Sequence, residues 1–287
     1  MGQRQMSTER VQVAATLRRM REDAGVSREQ AAAVLGCTAS KIGDLETGRS
    51  GAKPVELAAL LDCYGVTSDE RHDLIEFTRT PKSRRPRGSH WATIPGSHRR
   101  FLDLERQATS AIFYSGELIH GMLQTEGYAQ ALLHWNNLHP PEVLERMLKL
   151  RMARSAALSR TDRPPLRLWC ILSEAALRSG IGGTAVMREQ LEHLITMTTL
   201  HDNVVVQVLP LGSGVHTFIG LTATLYEFPP PAPRMLHFDT NSHGAFQDTE
   251  VEISPAAHTM DLLRAKALGH EASGELIQAI LRELEER

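Results

Sequence analysis

Apolar residues recur at helical spacing through the first 79 residues, with polar residues between them. Val13, Leu17, Met20 and Ala24 lie three or four positions apart, and Gly25 follows them as a residue beyond a helix end commonly does. Similar spacing continues through four further segments, whose apolar positions include Ile42, Leu45, Val55, Leu57, Leu60, Leu61, Leu74, Ile75 and Phe77. The pattern predicts five short helices in succession.

Polar residues mark the ends of the second and third predicted helices. Ser27 precedes an apolar segment and Gln30 follows three positions later, which is the pattern of a capping box. Gly36 ends this helix, and one residue separates it from Thr38, the predicted N-cap of the next helix. Two short helices joined by such a turn form a helix-turn-helix. A helical hairpin with no role in DNA binding has the same outline.

The segment "LRRMREDAGVSREQAAAVLGCTASKIGDLETGR" resembles the five-helix repressor-like regulators of the Cro/C1 type, also called xenobiotic-response-element-like regulators. The likeness includes the Leu-Glu-x-Gly ending that begins at Leu45. The resemblance implies an all-α domain over residues 1–79 that binds double-stranded DNA. It also implies that this domain contacts bases from Ala39, Ser40 and Asp44.

The outward face of the third helix follows from its geometry. With 100° between successive residues, Ile42 and Leu45 point inward. The remaining positions are Ser40, Gly43, Asp44 and Thr47, which point outward, and Ala39 and Lys41, which lie on the flanks. None of these side chains makes the bidentate Arg–guanine or Gln–adenine contact, which is worth roughly 1–3 kcal/mol of discrimination. We therefore predict that the helix reads few bases strongly.

Phosphate contacts are expected to supply much of the DNA affinity. Backbone N–H groups at the helix starts near Ser27 and Thr38 suit phosphate oxygens. The basic residues beside them are candidate phosphate contacts, namely Arg28, Lys41, Arg49 and Lys53. We also expect a homodimer, because two copies double the length of DNA that is read.

A basic segment without any acidic residue runs from Thr78 to Leu102. Its prolines, glycines and serines predict an extended linker over residues 80–100. Arg84, Arg85 and Arg87 are candidate phosphate contacts of this linker. A tether that only keeps the chain soluble has the same composition.

Residues 101–287 alternate between strand-like and helix-like segments. The strand-like segments are "SAIFYSGELIHGML", "PLRLWCILSE", "NVVVQVLP", "FIGLTATLYEF" and "RMLHFDT". The predicted helices cover residues 124–135, 141–159, 187–200, 255–268 and 271–286. This alternation predicts a mixed α/β (α+β) domain after the helical one.

The charge distribution and the cysteine content indicate the kind of partner and the cellular compartment of the protein. Residues 1–87 carry 15 Lys and Arg against 12 Asp and Glu, whereas the remainder carries 17 against 22. A polyanionic partner is therefore expected for the first part only. The three cysteines form no CxxC pair, and no signal peptide or apolar run of the ~20 residues that span a bilayer is apparent. We expect a cytoplasmic protein, nucleoid-associated when bound to DNA, with no membrane partner.

The C-terminal part offers little that indicates a reaction. Its scattered candidates for metal ligands are His216, His237, Asp239 and His243. A metal site needs three or four such groups that converge, and scattered histidines are more often surface or core residues. Apolar neighbours indicate that Cys170 is a buried thiol, and "SGIGGT" lacks the ending of a phosphate-binding loop and indicates a turn. We predict no catalytic residue, no metal and no cofactor.

Four motifs in this part carry a second resemblance: "GMLQTEGYAQALL", "SEAALRSGIGGTAVMREQLEHL", "VVVQVLPLGSGVH" and "RAKALGHEASGELI". In this order they resemble the domain that follows the helix-turn-helix in a large actinobacterial regulator family described as antitoxin-like. The resemblance implies a partner, a small acidic or neutral protein encoded by an adjacent gene. Ser155 stands where glutamine is usual, and Asp239 stands where glutamate is common. We therefore expect a different partner or ligand preference.

Together these features predict a sequence-specific transcriptional regulator. Its C-terminal domain is expected to dimerise and to receive a signal from a small partner protein or a ligand. The alternative is an antitoxin-like module that neutralises a small partner protein, with DNA binding confined to its own promoter. An enzymatic C-terminal domain is a third hypothesis, but no spacing of a nucleophile with a base supports it.

Overall fold

A computed structural model of the chain describes residues 8–66, 68–79, 97–134, 140–230, 232–239 and 245–285. The chain divides into two compact units. The first unit comprises Met1–Ala108 and Glu227–Thr249, and the second comprises Thr109–Tyr226 and Glu250–Arg287. Within the described ranges, no helix is long and apolar enough to cross a membrane.

The first unit begins with the five predicted helices. They are α1 (Thr8–Asp23), α2 (Arg28–Leu35), α3 (Ala39–Glu46), α4 (Pro54–Cys63) and α5 (Ser68–Arg79). Their apolar faces meet in one buried cluster, which includes Leu17, Ile42, Leu57, Leu61 and Leu74. The helical spacing of apolar residues therefore predicted both the helices and the core that they share.

A sixth helix, α6 (Ser97–Gln107), also belongs to the first unit and packs on α1. The side chain of Asp103 is buried, and its carboxylate ion-pairs with Nε of Arg19 at 2.7 Å and accepts a hydrogen bond from the Thr16 hydroxyl. The extended linker predicted for residues 80–100 is thus helical from Ser97 onward. The sequence hides this helix because it begins with four polar residues, and its buried residues, Leu102 to Glu105, come after them.

Two short antiparallel strands complete the first unit. They are β5 (Met235–Asp239) and β6 (Ala245–Gln247), with Leu236 opposite Gln247. The segment around residue 237 was predicted as a strand, whereas β6 has too few residues to show a pattern in the sequence.

The second unit holds four strands in the order β3-β2-β1-β4. They are β1 (Ser110–Ser115), β2 (Arg167–Ser173), β3 (Val204–Leu209) and β4 (Thr222–Glu227). β1 pairs in parallel with β2, and β2 in parallel with β3. Parallel strands are covered on both faces, which explains the nearly continuous apolar sequence of β3. The mixed α/β prediction is confirmed.

The described residues of the second unit also form seven α-helices. They are α7 (Glu126–His134), α8 (Pro141–Met152), α9 (Ala156–Ser159), α10 (Glu174–Leu177), α11 (Thr184–Leu200), α12 (Glu250–Lys266) and α13 (His270–Glu285). Among the helix predictions for this unit, two differ most from the structure. The single helix predicted over residues 141–159 is broken by a 3₁₀ turn at Ala153–Ser155, where the Ser155 hydroxyl donates to the Met152 carbonyl. α12 begins five residues before Pro255, which therefore lies inside the helix.

Buried polar side chains join the helices to their neighbours. The fully buried amide of Gln190 accepts from the N–H of Thr125 at 2.8 Å and donates to the carbonyl of Leu123 at 2.7 Å. The hydroxyl of Ser273 accepts from the N–H of Val208 at 3.0 Å. Two of the motifs singled out in the sequence, at residues 121–133 and 173–194, are therefore held together by one glutamine.

Candidate nucleic-acid interface

Local capping bonds build the turn between α2 and α3. The Ser27 hydroxyl accepts from the N–H of Gln30, and the Gln30 amide accepts from the N–H of Ser27 at 2.7 Å, which confirms the capping box. Gly36 ends α2 with a φ of 61°, a left-handed conformation that glycine adopts without strain. The Thr38 hydroxyl then accepts from the N–H of Lys41 at 3.3 Å and starts α3. Each step is encoded within a few residues of sequence.

A buried carboxylate fixes the inner end of α3. Glu46 accepts hydrogen bonds from Nε and Nη2 of Arg21 on α1, and from Nε of Arg28 on α2 at 2.9 Å. The Arg21 guanidinium also donates to the carbonyl of Val26 at 2.9 Å. Hydrogen bonding to Glu46 raises the pKa of Arg21, which stays charged. One carboxylate thus joins three helices through charge-assisted hydrogen bonds, which are stronger than neutral ones.

The outward face of α3 matches the predicted wheel. Ile42 and Leu45 are buried, whereas Ser40 and Thr47 are exposed. Asp44 is half-exposed, and its carboxylate lies 3.8 Å from a guanidinium nitrogen of Arg49. This face presents two hydroxyls and one carboxylate to an approaching molecule.

The four basic residues of the helical domain that were predicted to contact phosphate lie near this face or near a helix start. Nζ of Lys41 donates to the Ser50 hydroxyl at 3.0 Å. Lys53 is exposed at the N-cap of α4, and its N–H donates to Glu56 at 2.8 Å. Arg49 is exposed beside Asp44, and Arg28 is held by Glu46. Ala39 lies half-buried at the start of α3.

Sequence reasoning missed Glu46 and Arg21 as parts of this site. Glu46 entered the prediction from sequence only as part of the Leu-Glu-x-Gly ending. A glutamate on the inner face of a helix is nevertheless a sign of a buried ion pair. Its partner Arg21 lies 25 positions away, and the sequence does not identify it. Arg84, Arg85 and Arg87 lie outside the described residues, so their predicted phosphate contacts stay predictions.

The candidate metal ligands of the C-terminal part do not form a cluster among the described residues. Nε2 of His216 lies 3.2 Å from the hydroxyl of Tyr114, and His237 is buried beside the ring of Phe246. His243 lies outside the described ranges. Cys170 is fully buried, as predicted, and burial raises the pKa of its thiol, which disfavours the nucleophilic thiolate.

Two families of proteins match the chain. A family described as "Helix-turn-helix domain" matches residues 12–74, and one described as "Domain of unknown function (DUF5753)" matches residues 98–279, more than half of the chain. The chain belongs to the DUF5753 family. No curated protein and no solved structure matches it.

The helix-turn-helix match identifies the N-terminal part of this DUF5753 protein as a DNA-binding domain. The match begins in α1, ends in α5 and contains the whole of α2 and α3. The DUF5753 match begins inside α6 and ends in α13. The description of that family names no activity, so the role of the second unit has to be argued from its residues.

Proposed function

We propose that the protein is a sequence-specific transcriptional regulator that binds double-stranded DNA as a homodimer. In this proposal α3 lies in the major groove, and the C-terminal domain receives a signal from a small partner protein or a ligand. The protein acts on chromosomal DNA in the cytoplasm and performs no reaction of its own. The actinobacterial, antitoxin-like resemblance favours a small protein encoded by an adjacent gene as the source of the signal.

The observation that carries the proposal is the exposed face of α3, with both of its ends fixed. Thr38 caps the start of the helix and Glu46 joins its end to α1 and α2. A helix held in this way presents Ala39, Ser40 and Asp44 in a defined orientation. Alanine suits a thymine methyl, serine suits several bases, and aspartate accepts from the amino group of cytosine.

The same orientation of α3 also allows the protein to contact DNA phosphates. The N–H groups at the starts of α2 and α3 are partly satisfied by the Ser27 and Thr38 hydroxyls, and the other N–H groups of those first turns can meet phosphate oxygens. Lys41, Arg49 and Lys53 add positive charge beside them. Contacts of this kind position a protein on DNA without reading its sequence.

Binding of the purified protein to fragmented genomic DNA tests this function. The experiment is performed with and without the protein encoded by the adjacent gene. Sites at many promoters, with occupancy that the partner changes, support a regulator that responds to a signal. A single site at its own promoter favours the antitoxin-like module instead, and no bound fragment contradicts both.

A matched pair of variants controls the experiment. Ser40→Glu places a negative charge on the exposed face of α3 without entering the core, and we expect it to abolish binding. Thr199→Glu adds the same charge at an exposed position of α11 and is expected to leave binding unchanged. Equal binding by both variants would show that α3 is not the contact.

A further inference from the structure

The loop between β3 and β4 exposes large apolar side chains. Val215 is 86% exposed and Ile219 is 60% exposed, and Leu211 and Leu221 near the loop ends are also exposed. Phe218 between them is buried and anchors the loop. Because Phe218 is buried, the loop packs on the unit, yet four of its aliphatic side chains face outward. An isolated exposed leucine needs no explanation, but a group of aliphatic residues in one loop does.

The outer face of α12 extends this exposed surface. The Thr217 hydroxyl lies 3.0 Å from the Thr259 hydroxyl, which places the centre of the loop against α12. Val251, two turns before Thr259, is 86% exposed, and Leu262, about one turn after it, is 51% exposed. We call this group the apolar loop–helix surface, formed by Leu211, Val215, Ile219, Leu221, Val251 and Leu262.

The centre of the apolar loop–helix surface carries no formal charge. Residues 203–226 contain no Asp, Glu, Lys or Arg. Burial, followed by the charge of Lys266, lowers the pKa of His216, the one histidine of this segment, which favours its uncharged form. Charges of both signs occur on α12, where a guanidinium nitrogen of Arg264 lies 3.4 Å from Asp261. An apolar centre beside charged residues of both signs is the composition of a protein–protein interface.

We propose that the apolar loop–helix surface binds the same surface of a second copy of this chain. A symmetric dimer places each patch opposite itself, so a charged centre would bring like charges together, and an uncharged centre avoids this. Each exposed aliphatic side chain offers on the order of 100 Å². Six of them provide most of the ~800 Å² that each partner buries in a stable interface. This inference rests on the homodimer of the proposed function and names its surface.

Sedimentation of the full chain at several concentrations tests the surface. Val215→Asp and Val251→Asp place a charge at two highly exposed positions, so neither disturbs the core, and circular dichroism confirms the fold. We expect each to weaken the dimer at least about 30-fold, the effect typical of a hot-spot residue. Leu200→Asp changes a leucine that is 71% exposed on α11 of the same unit, and we expect it to leave the dimer intact.

Each outcome decides the proposal. A dimer that both valine variants dissociate, and that Leu200→Asp does not, supports it. A wild-type chain that stays monomeric overturns it, and so does a dimer that resists both valine variants, including one held by another surface. DNA binding is measured separately on a long duplex. A dimer that binds no DNA contradicts the regulator while leaving the surface in place.

Discussion

Nε of Arg28 lies 2.9 Å from Oε2 of Glu46, so one side chain predicted to contact phosphate also holds the DNA-binding domain together. The side chain of Glu46 is almost completely buried, whereas that of Arg28 is 42% exposed. The hydrogen bond of Nε therefore serves the fold, and the exposed part of the guanidinium is the part that we propose to contact phosphate. The bond to a buried carboxylate separates Arg28 from Lys41, Arg49 and Lys53.

Removal of the buried charge is expected to destabilise the domain. Glu46→Gln removes the buried carboxylate that pairs with Arg21, and breaking a buried pair in this way costs about 3 kcal/mol. Urea unfolding, followed by circular dichroism, measures the loss. Asp62→Asn removes an exposed carboxylate of the same domain that pairs with Arg71, and it should cost less than about 1 kcal/mol. Similar losses in both variants would show that the buried network does not stabilise the domain.

Arg28 and Lys53 are expected to respond differently to substitution. Both alanine variants should lower DNA affinity uniformly across sequences and reduce the slope of log K against log salt by about 0.9. Arg28→Ala should in addition lower the free energy of unfolding by about 1 kcal/mol, since it removes a partly exposed hydrogen bond to a charged group. Lys53→Ala should leave stability unchanged. Titrations at several salt concentrations, with thermal unfolding, separate the two effects.

Two glycines before α11 are expected to differ in how strongly an alanine at their position destabilises the protein. Gly180 and Gly182 both have a positive φ, but a Cβ at Gly182 would lie 2.8 Å from Cγ1 of Val186, whereas none of the surrounding atoms is within 4 Å at Gly180. Gly180→Ala should cost about 1–2 kcal/mol for the left-handed backbone alone. Gly182→Ala should cost about 1–3 kcal/mol more, because a β-branched side chain cannot easily rotate away. Equal melting temperatures of the two variants would contradict this expectation.

Acid sensitivity of the second unit is expected from His193. Burial lowers the pKa of this side chain in the folded state below its ordinary 6.5. The unfolded chain therefore binds the proton more readily, and stability falls as the pH drops below about 6.5. His193→Gln should weaken the pH dependence of unfolding between about pH 5 and 7. A pH dependence that is the same in wild type and in His193→Gln would contradict this expectation.

Local signals predicted much of the fold, and distant contacts explain most of what they did not predict. The capping box at Ser27 and the turn at Gly36 depend on neighbouring residues, so the sequence identified both. The burial of α6 depends on the pairing of Asp103 with Arg19, 84 positions earlier, which no local pattern reveals. The predicted start at Pro255 was too late, because buried Ile253 and the acidic residues Glu250 and Glu252 extend α12 backward.

In the candidate site, too, the sequence predicted what depends on neighbouring residues and not what depends on distant contacts. The outward positions of α3 follow from its period, so Ser40 and Asp44 were predicted from the sequence. The role of Glu46 depends on Arg21 and Arg28, which come from two other helices. A helical wheel marks such a residue as inward-facing, but it does not show which charges it meets.

Selection of bound duplexes from a randomised DNA pool tests the central claim most directly. The wild-type chain, Asp44→Ala and Lys53→Ala are compared at one salt concentration. We predict that wild type selects a palindromic consensus, that Lys53→Ala selects the same consensus more weakly, and that Asp44→Ala changes the preferred base at one position in each half-site. An unchanged consensus for Asp44→Ala, or no consensus for wild type, would contradict sequence reading by α3.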